Sequence, residues 1–174
     1  MIEKLEALML DVLPSWVLVY GDTDSTLAGA LAASKLHIPV CHVEAGLRSF
    51  NRRMPEEINR ILTDNISDIL FVPNEIAAKN LVNEGVSKDK IKFVGDVMYD
   101  ASNFYVGKAR KPRFPADSSI EIDDFVLCTI HRAENTDDPL KLKSIFEGLK
   151  DSGKSIVLPI HPRTRDRINH FGIT

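Results

Sequence analysis

The 174-residue sequence is short of the features that mark several large protein classes. It has two cysteines, Cys41 and Cys128, each inside a short apolar run where a thiol behaves as a small buried hydrophobe. Two such thiols make no disulfide framework, and a reducing cytoplasm is the compartment they suit. No apolar run approaches the roughly 20 residues that cross a bilayer. The opening MIEKLEALMLDVLPSW mixes acidic with apolar side chains and has no small-residue cleavage site, so it does not read as a secretory signal. Positive charge is not in excess either: 22 Lys and Arg stand against 25 Asp and Glu, a net charge of −3, with no basic run. Nucleic acid and anionic membrane are therefore poor partners.

What is present is the composition of a globular protein with a packed core, 44% apolar and 27% charged. The length fits one ordinary domain or parts of two. Short β-branched runs alternate with segments of helical period: WVLVY (16–20), TLAGALAASKL (26–36), PVCHVE (39–44), PEEINRILTDNI (55–66), ILFVP (69–73), EIAAKNLVNEG (75–85), IKFVG (91–95) and VMYDASNFYV (97–106). Runs that are apolar throughout suggest strands covered on both faces, and repeated βαβ units imply a parallel sheet flanked by helices. Gly85 suits the position just past a helix end.

Residues 108–120, KARKPRFPADSSI, read as a linker. Beyond them the alternation resumes with FVLCTIH (125–131), PLKLKSIFEGLK (139–150), SIVLPIH (155–161) and a last helix through 163–172. The expected organisation is residues 1–107 as the C-terminal portion of a first Rossmann-like domain and 121–174 as the beginning of a second. Two strands and two helices are too few for an independent layer, and the first strand has no preceding unit to cover it. The chain thus reads as the middle of a longer two-domain protein, incomplete at both ends.

In parallel α/β sheets, ligands bind beyond the carboxyl ends of the strands. The polar residues there are Gly21-Asp22-Thr23, His42-Val43-Glu44, Gly95-Asp96, His131-Arg132-Ala133-Glu134 and His161-Pro162-Arg163. Asp22 fits either a helix N-cap or a functional carboxylate. Glu44 ends an apolar strand before Ala45-Gly46, a small pair that would let a ligand approach the backbone. Pro55-Glu56-Glu57 opens a helix, where two carboxylates also suit the positive end of the helix dipole. Ile58, Ile61, Leu62 and Ile66 define the expected buried stripe of that helix, leaving at least one Glu to project toward the loops. His131 alone would more often be a hydrogen-bonded structural residue. Three carboxylates and a histidine at loop ends of the same kind carry more weight together.

Other patterns exclude themselves. Residues 148–155 spell a phosphate-binding loop letter for letter, but they follow a helix and open a strand, the reverse of what that loop requires. Gly153 there reads as a helix-terminating glycine. Asp22-Thr23-Asp24 is too short a pattern for a metal site, the histidines lack zinc spacing, and no G-x-G-x-x-G or Tyr-x-x-x-Lys supports nicotinamide chemistry.

GDTDSTLAGALAASKLHIPVCHVEAGLRS (21–49), MPEEINRILTD (54–64), TIHRAEN (129–135) and HPRTR (161–165), in this order, closely resemble the non-hydrolysing UDP-N-acetylglucosamine 2-epimerases. The resemblance implies two Rossmann-like domains in a glycosyltransferase-B-like arrangement, with the active site in the cleft between them. It implies interconversion of UDP-N-acetylglucosamine and UDP-N-acetylmannosamine for surface polysaccharides. The route is elimination of UDP to 2-acetamidoglucal and re-addition, with no cofactor and no metal. Carried over residue by residue, the catalytic positions are Asp22, Glu44, Glu56 and His131. Asp22, Glu44 and His131 also contact substrate, and the carboxylates serve proton transfer at C2 with His131 near the departing diphosphate. A second, activating UDP-sugar would contact Glu57, Arg132 and His161. Intact members form homodimers through the first domain.

The family's N-terminal glycine-rich segment and its C-terminal uridine-binding part have no counterpart in this sequence, which makes the isolated chain a poor candidate for full activity. Rival readings are a sister 2-epimerase for another UDP-2-acetamido sugar such as a diacetamido uronic acid, a hydrolysing relative, a catalytically silent truncated homologue or assembly module, and a sugar-transferring glycosyltransferase, against which the set of four motifs argues.

Overall fold

The computed structural model describes residues 1–111, 113, 114, 120 and 124–173; residues 112 and 115–119 of the linker reading fall outside that set. The chain divides into two compact units, Met1–Lys108 and Ala109–Thr174. No described helix is long and apolar enough to cross a membrane.

The first unit runs α1 (Ile2–Val12), β1 (Val17–Tyr20), α2 (Asp24–Lys35), β2 (Val40–Val43), α3 (Pro55–Ile66), β3 (Ile69–Val72), α4 (Glu75–Asn83), a single 3₁₀ turn (Lys88–Lys90), β4 (Ile91–Phe93) and α5 (Val97–Val106). Its four strands lie in the order β1-β2-β3-β4, all parallel, with Val19 opposite His42, His42 opposite Leu70 and Leu70 opposite Ile91. The alternation of apolar runs and helical segments implies this parallel arrangement, because each crossover helix returns the chain to the same end of the sheet before the next strand begins. One core cluster joins Met9, Val19, Ala30, Ala32, Ala33 and Val40; a second joins Ala45, Leu70, Val72, Ala77 and Leu81. The small residues of α2, with Ala28, Gly29, Ala30, Ala32 and Ala33 all buried, let that helix pack closely on its neighbours α1 and α3.

Three expectations need correction. Helix α1 precedes the first strand, and its Leu5 and Met9 pack into the first core cluster with Val19, so one face of β1 is covered. Apolar runs are not buried on both faces at the sheet edges: Leu18 and Tyr20 of β1 and Phe93 of β4 are exposed. The largest correction concerns α3. Ile58 and Leu62 are 44% and 46% exposed, and the residues this helix buries are Glu57, Asn59, Arg60, Thr63 and Asp64. Four of these five side chains have strong partners in the loops after β1 and β2, and those bonds outweigh the burial of two aliphatic side chains.

Caps end the helices where the sequence puts them. Asn74 accepts from the Ala77 N–H to start α4, and Asp96 from the Met98 N–H to start α5. The carboxylate of the Gly95-Asp96 pair is therefore spent on capping. Gly85 (φ +88°) follows α4 in the left-handed conformation.

The second unit contains β5 (Val126–Leu127), α6 (Ala133–Thr136), α7 (Pro139–Asp151), β6 (Ile156–Val157) and α8 (Pro162–Phe171), with β5 and β6 parallel. Residues 148–155 are the end of α7, the left-handed Gly153 (φ +63°) and the residues that lead into β6, which is no phosphate cradle. Both units are parallel α/β structures.

Candidate active site

In the first unit the loops after β1 and β2 and the first turn of α3 enclose a cavity of about 200 Å³ lined by Asp22, Leu47, Arg48, Ser49, Met54, Glu56, Glu57 and Arg60. Helix α2 begins at Asp24 with Thr23 as its N-cap residue, so Asp22 is not the cap. Its carboxylate accepts instead from Arg60 Nη2 at 2.6 Å. Asn59 completes the hold on this loop by donating to the Asp22 carbonyl (3.0 Å) and to Asp24 Oδ1 (2.9 Å).

Glu44 has φ +71°, a left-handed conformation rare outside glycine. Its carbonyl accepts from Arg60 Nη1, and its Oε2 lies 3.8 Å from Arg60 Nη2. The Asp22 and Glu44 side chains are each 31% exposed, while that of Arg60 is 8% exposed. A single buried guanidinium thus lies between two carboxylates that reach solvent. Glycine at position 21 (φ +65°) leaves room for this, because a Cβ there would sit 3.2 Å from Glu44 Oε2. The small pair that follows has another purpose than the one expected. Ala45 is fully buried in the core, and a Cβ on Gly46 would collide with the backbone of Ala77, so these residues are small for chain packing and not for ligand approach.

The two glutamates of α3 part company. Glu56 is exposed at the cavity. Glu57, 5% exposed, accepts from the Ser49 N–H (2.7 Å), the Ser49 hydroxyl (2.9 Å) and the Phe50 N–H (3.0 Å), which pins the loop between β2 and α3. Burial pushes the Glu57 carboxyl up, but these hydrogen bonds and the Arg48 charge outweigh it and hold it below its ordinary value of 4.5. A depressed carboxyl adds stability above its unfolded value and loses it as pH falls through the folded one. Glu57→Gln is therefore expected to lower the urea midpoint at pH 7, with the difference from the parent shrinking as pH drops below 4.5. Urea melts between pH 7 and pH 3 measure it.

Behind the cavity lies a buried charge network. His42 sits fully buried on β2, with Nδ1 2.6 Å from Asp64 Oδ1 and Nε2 2.8 Å from the Gly21 carbonyl. Asp64 Oδ2 accepts from the Gly46 N–H (3.1 Å) and from Arg48 Nη1 (2.7 Å). The Asp64 carboxylate and the Gly21 carbonyl thus hold the imidazole from both ring nitrogens. Arg48 also donates to both Glu84 oxygens, at 2.8 and 2.6 Å. Burial works against the Arg48 charge, but Glu84 and Asp64 more than compensate and raise it above its ordinary value.

In the second unit His131, Arg132 and His161 come together. The two imidazole rings are 6.1 Å apart between centroids, and His161 caps α8 by accepting the Arg163 N–H at Nδ1. His131 and Arg132 are exposed, with Arg132 Nη1 3.8 Å from Glu134. Asp137 binds Arg163 (2.6 Å) and Arg167 (3.0 Å), which ties α6 to α8 and lowers its carboxyl, chiefly through the Arg163 hydrogen bond. A larger cavity of about 770 Å³ beside α7, β6 and the end of α8 contains none of the nominated residues. Among the described residues, no group of three or more His, Cys, Asp or Glu could hold a metal ion.

Reading the sequence for strand ends finds Asp22 and Glu44, and the helix start finds Glu56 and Glu57. It misses Asn59, Arg60, Asp64 and Arg48, and it names His42 among the strand-end residues without a role. The available signal is the polar spacing of Glu57, Arg60 and Asp64 at i, i+3 and i+7, a polar helix face that competes with the aliphatic one.

The chain matches the UDP-N-acetylglucosamine 2-epimerase family over residues 1–173. It is 55% identical to the UDP-2,3-diacetamido-2,3-dideoxy-D-glucuronate 2-epimerase of Pseudomonas aeruginosa, across 99% of this chain and 49% of that protein. It is 48% identical to the UDP-N-acetylglucosamine 2-epimerase of Methanocaldococcus jannaschii, across 99% and 49% respectively. A crystal structure of the M. jannaschii UDP-GlcNAc 2-epimerase in complex with UDP-GlcNAc and UDP superposes with a TM-score of 0.86 at 44% identity, covering 99% of this chain and 49% of that one. The chain thus spans about half the length of the curated relatives it matches, and it belongs to the UDP-N-acetylglucosamine 2-epimerase family.

Proposed function

We propose that this chain carries the acid–base half of a UDP-sugar 2-epimerase acting on UDP-N-acetylglucosamine. The observation behind this reading is one buried guanidinium, Arg60, that meets the Asp22 and Glu44 carboxylates beside a cavity lined by Asp22, Glu56 and Arg60, in a chain of this family. The C2 hydrogen of the sugar is not adjacent to a carbonyl, so it leaves as a proton only when the C1–O bond to UDP breaks in the same elimination. One carboxylate takes that proton while the C1–O electron pair leaves with UDP, giving 2-acetamidoglucal. Re-addition of UDP at C1 with protonation of C2 on the opposite face gives the manno epimer. Carboxylates on two sides of the sugar suit the two proton transfers, and His131 suits the charge developing on the departing diphosphate. No cofactor enters this sequence.

A second UDP-sugar would meet Arg132 and His161; Arg132 follows His131, whose ring lies 6.1 Å from that of His161. Both Glu57 oxygens are taken by Ser49 and Phe50, so Glu57 serves to shape the 49–50 loop.

One observation favours a related substrate, a UDP-2,3-diacetamido uronic acid. The 55%-identical relative is named for that sugar. Arg52 and Arg53 are also exposed on the loop whose Ser49 and Met54 line the cavity, and a guanidinium is the natural partner for a sugar carboxylate. Product analysis with each UDP-sugar in turn tests both readings, using the chain alone and the chain grafted in place of the matching half of the M. jannaschii enzyme. Formation of the C2 epimer is expected in the graft, and the better substrate identifies the sugar. No epimer from either sugar in either format would contradict the proposed function.

A further inference from the structure

We infer that Arg60 is the positioning residue of the site, the group that fixes where the Asp22 and Glu44 carboxylates stand relative to each other. The inference rests on the epimerase reading and deepens it. Arg60 is 6% exposed and projects from α3 into the space between the loops that follow β1 and β2. One arm of its guanidinium meets Asp22 Oδ2 at 2.6 Å and faces Glu44 Oε2 at 3.8 Å. The other arm donates to the Glu44 carbonyl. These contacts are unequal in kind. The first two hold side-chain charge, whereas the third holds a backbone carbonyl of a residue at φ +71°.

A non-glycine residue in the left-handed region persists only where its surroundings fix it. Around Glu44 the adjoining restraints include the Gly21 N–H bond to the Val43 carbonyl, the Ala45 N–H bond to the Phe71 carbonyl and, on the Glu44 carbonyl itself, the Arg60 bond. In that conformation the Glu44 carboxylate lies over Gly21, in the space that a Cβ would fill. Arg60 thereby sets both the backbone that aims Glu44 and the carboxylate of Asp22, with one planar group. Lysine could supply the charge but not two divergent donors from a rigid plane. Arg60 reaches the cavity with only the small exposed part of its side chain, and its donors are directed at the two acids, so it is assigned their positioning and not a contact with substrate.

The test uses the full chain and two variants, Arg60→Lys and Arg60→Ala, with two independent readouts. The first is the strong intraresidue amide-to-Hα NOE that a positive φ produces at Glu44. Arg60 as the positioning residue predicts its loss in Arg60→Ala and its weakening in Arg60→Lys, with the remaining amide spectrum dispersed as in the parent. The second is epimerisation, measured in the grafted enzyme. Here Arg60→Lys is expected to reduce kcat at least about tenfold while KM stays within about threefold, because misplacement of the acids acts on the reacting geometry. Free guanidinium is expected to restore part of the Arg60→Ala loss. A Glu44 NOE unchanged in both variants would overturn the inference, and so would full kcat in Arg60→Lys. A parent with the NOE but no turnover would count against the epimerase reading, leaving the NOE comparison to decide the role of Arg60.

Discussion

Asp64→Ala is expected to destabilise the first unit by about 3–5 kcal/mol, the cost of breaking a buried ion pair from one side. Asp64 is 1% exposed and accepts from His42, Arg48 and the Gly46 N–H together. Without it, Arg48 keeps only Glu84 and the Leu47 carbonyl, and a fully buried imidazole loses one of its two acceptors. Alanine leaves those donors unpaired, and an unpaired buried donor costs more than a net hydrogen bond contributes. For a unit of this size such a loss lowers Tm by upwards of about 10 °C. Urea denaturation followed by far-UV circular dichroism measures it. A change below 1 kcal/mol, by the about 1–3 kcal/mol scale of a single unsatisfied group, would mean that the network is dispensable.

Gly46→Ala comes next in size. Gly46 adopts φ +78°, and a Cβ there would meet the carbonyl oxygen of Ala77 head on, with the carbonyl carbon at 2.9 Å and Leu81 Cδ1 at 3.0 Å. The obstacle is helix backbone, which cannot swing aside as a side chain can. The left-handed conformation costs an L-residue about 1–2 kcal/mol, and forcing atoms into a packed core adds about 1–3 kcal/mol. Movement of the loop would also stretch the Gly46 N–H bond to Asp64 and the Asn80 bond to the Gly46 carbonyl. Gly85→Ala supplies the control, since Gly85 has φ +88° with nothing within 4 Å of its would-be Cβ. It isolates the conformational cost from the steric one. Thermal melts should show Gly46→Ala losing clearly more stability than Gly85→Ala, and equal losses would remove the steric part of the explanation.

Much of the fold is legible because apolar runs and helical periods are local signals. Strands β1 to β4, helix α3 at Pro55–Ile66 and helix α5 at Val97–Val106 can be marked from the sequence. Helix α1 was equally visible in the spacing of Ile2, Leu5, Met9 and Val12, but a segment weighed only as a targeting signal is easily passed over as structure. The 3.6-residue period shows that α3 is a helix and does not show which face goes inward. There the outcome depends on partners far away in sequence: Glu57 on Ser49, Arg60 on Asp22 and Asp64 on His42. The same distance separates finding the acids from understanding them. Asp22 and Glu44 stand out as polar residues at strand ends, but that one arginine from a third element lies between them appears only once the chain is folded. In the second unit the apolar runs 125–131 and 155–161 overstate the strands, because only Val126–Leu127 and Ile156–Val157 find ladder partners.

The central claim is that the carboxylates around Arg60 move the proton at C2 of a UDP-sugar, and one measurement reaches it directly. Proton NMR of UDP-N-acetylglucosamine incubated with the grafted enzyme in deuterated buffer follows the C2 hydrogen itself. Loss of the C2 proton signal, with deuterium in both the gluco and manno epimers, is the predicted result. A fall of at least about 100-fold in the rate of exchange is predicted for Glu44→Gln, in the range that general acid–base groups contribute. Epimer formed without deuterium at C2, or exchange undiminished in Glu44→Gln, would contradict the account.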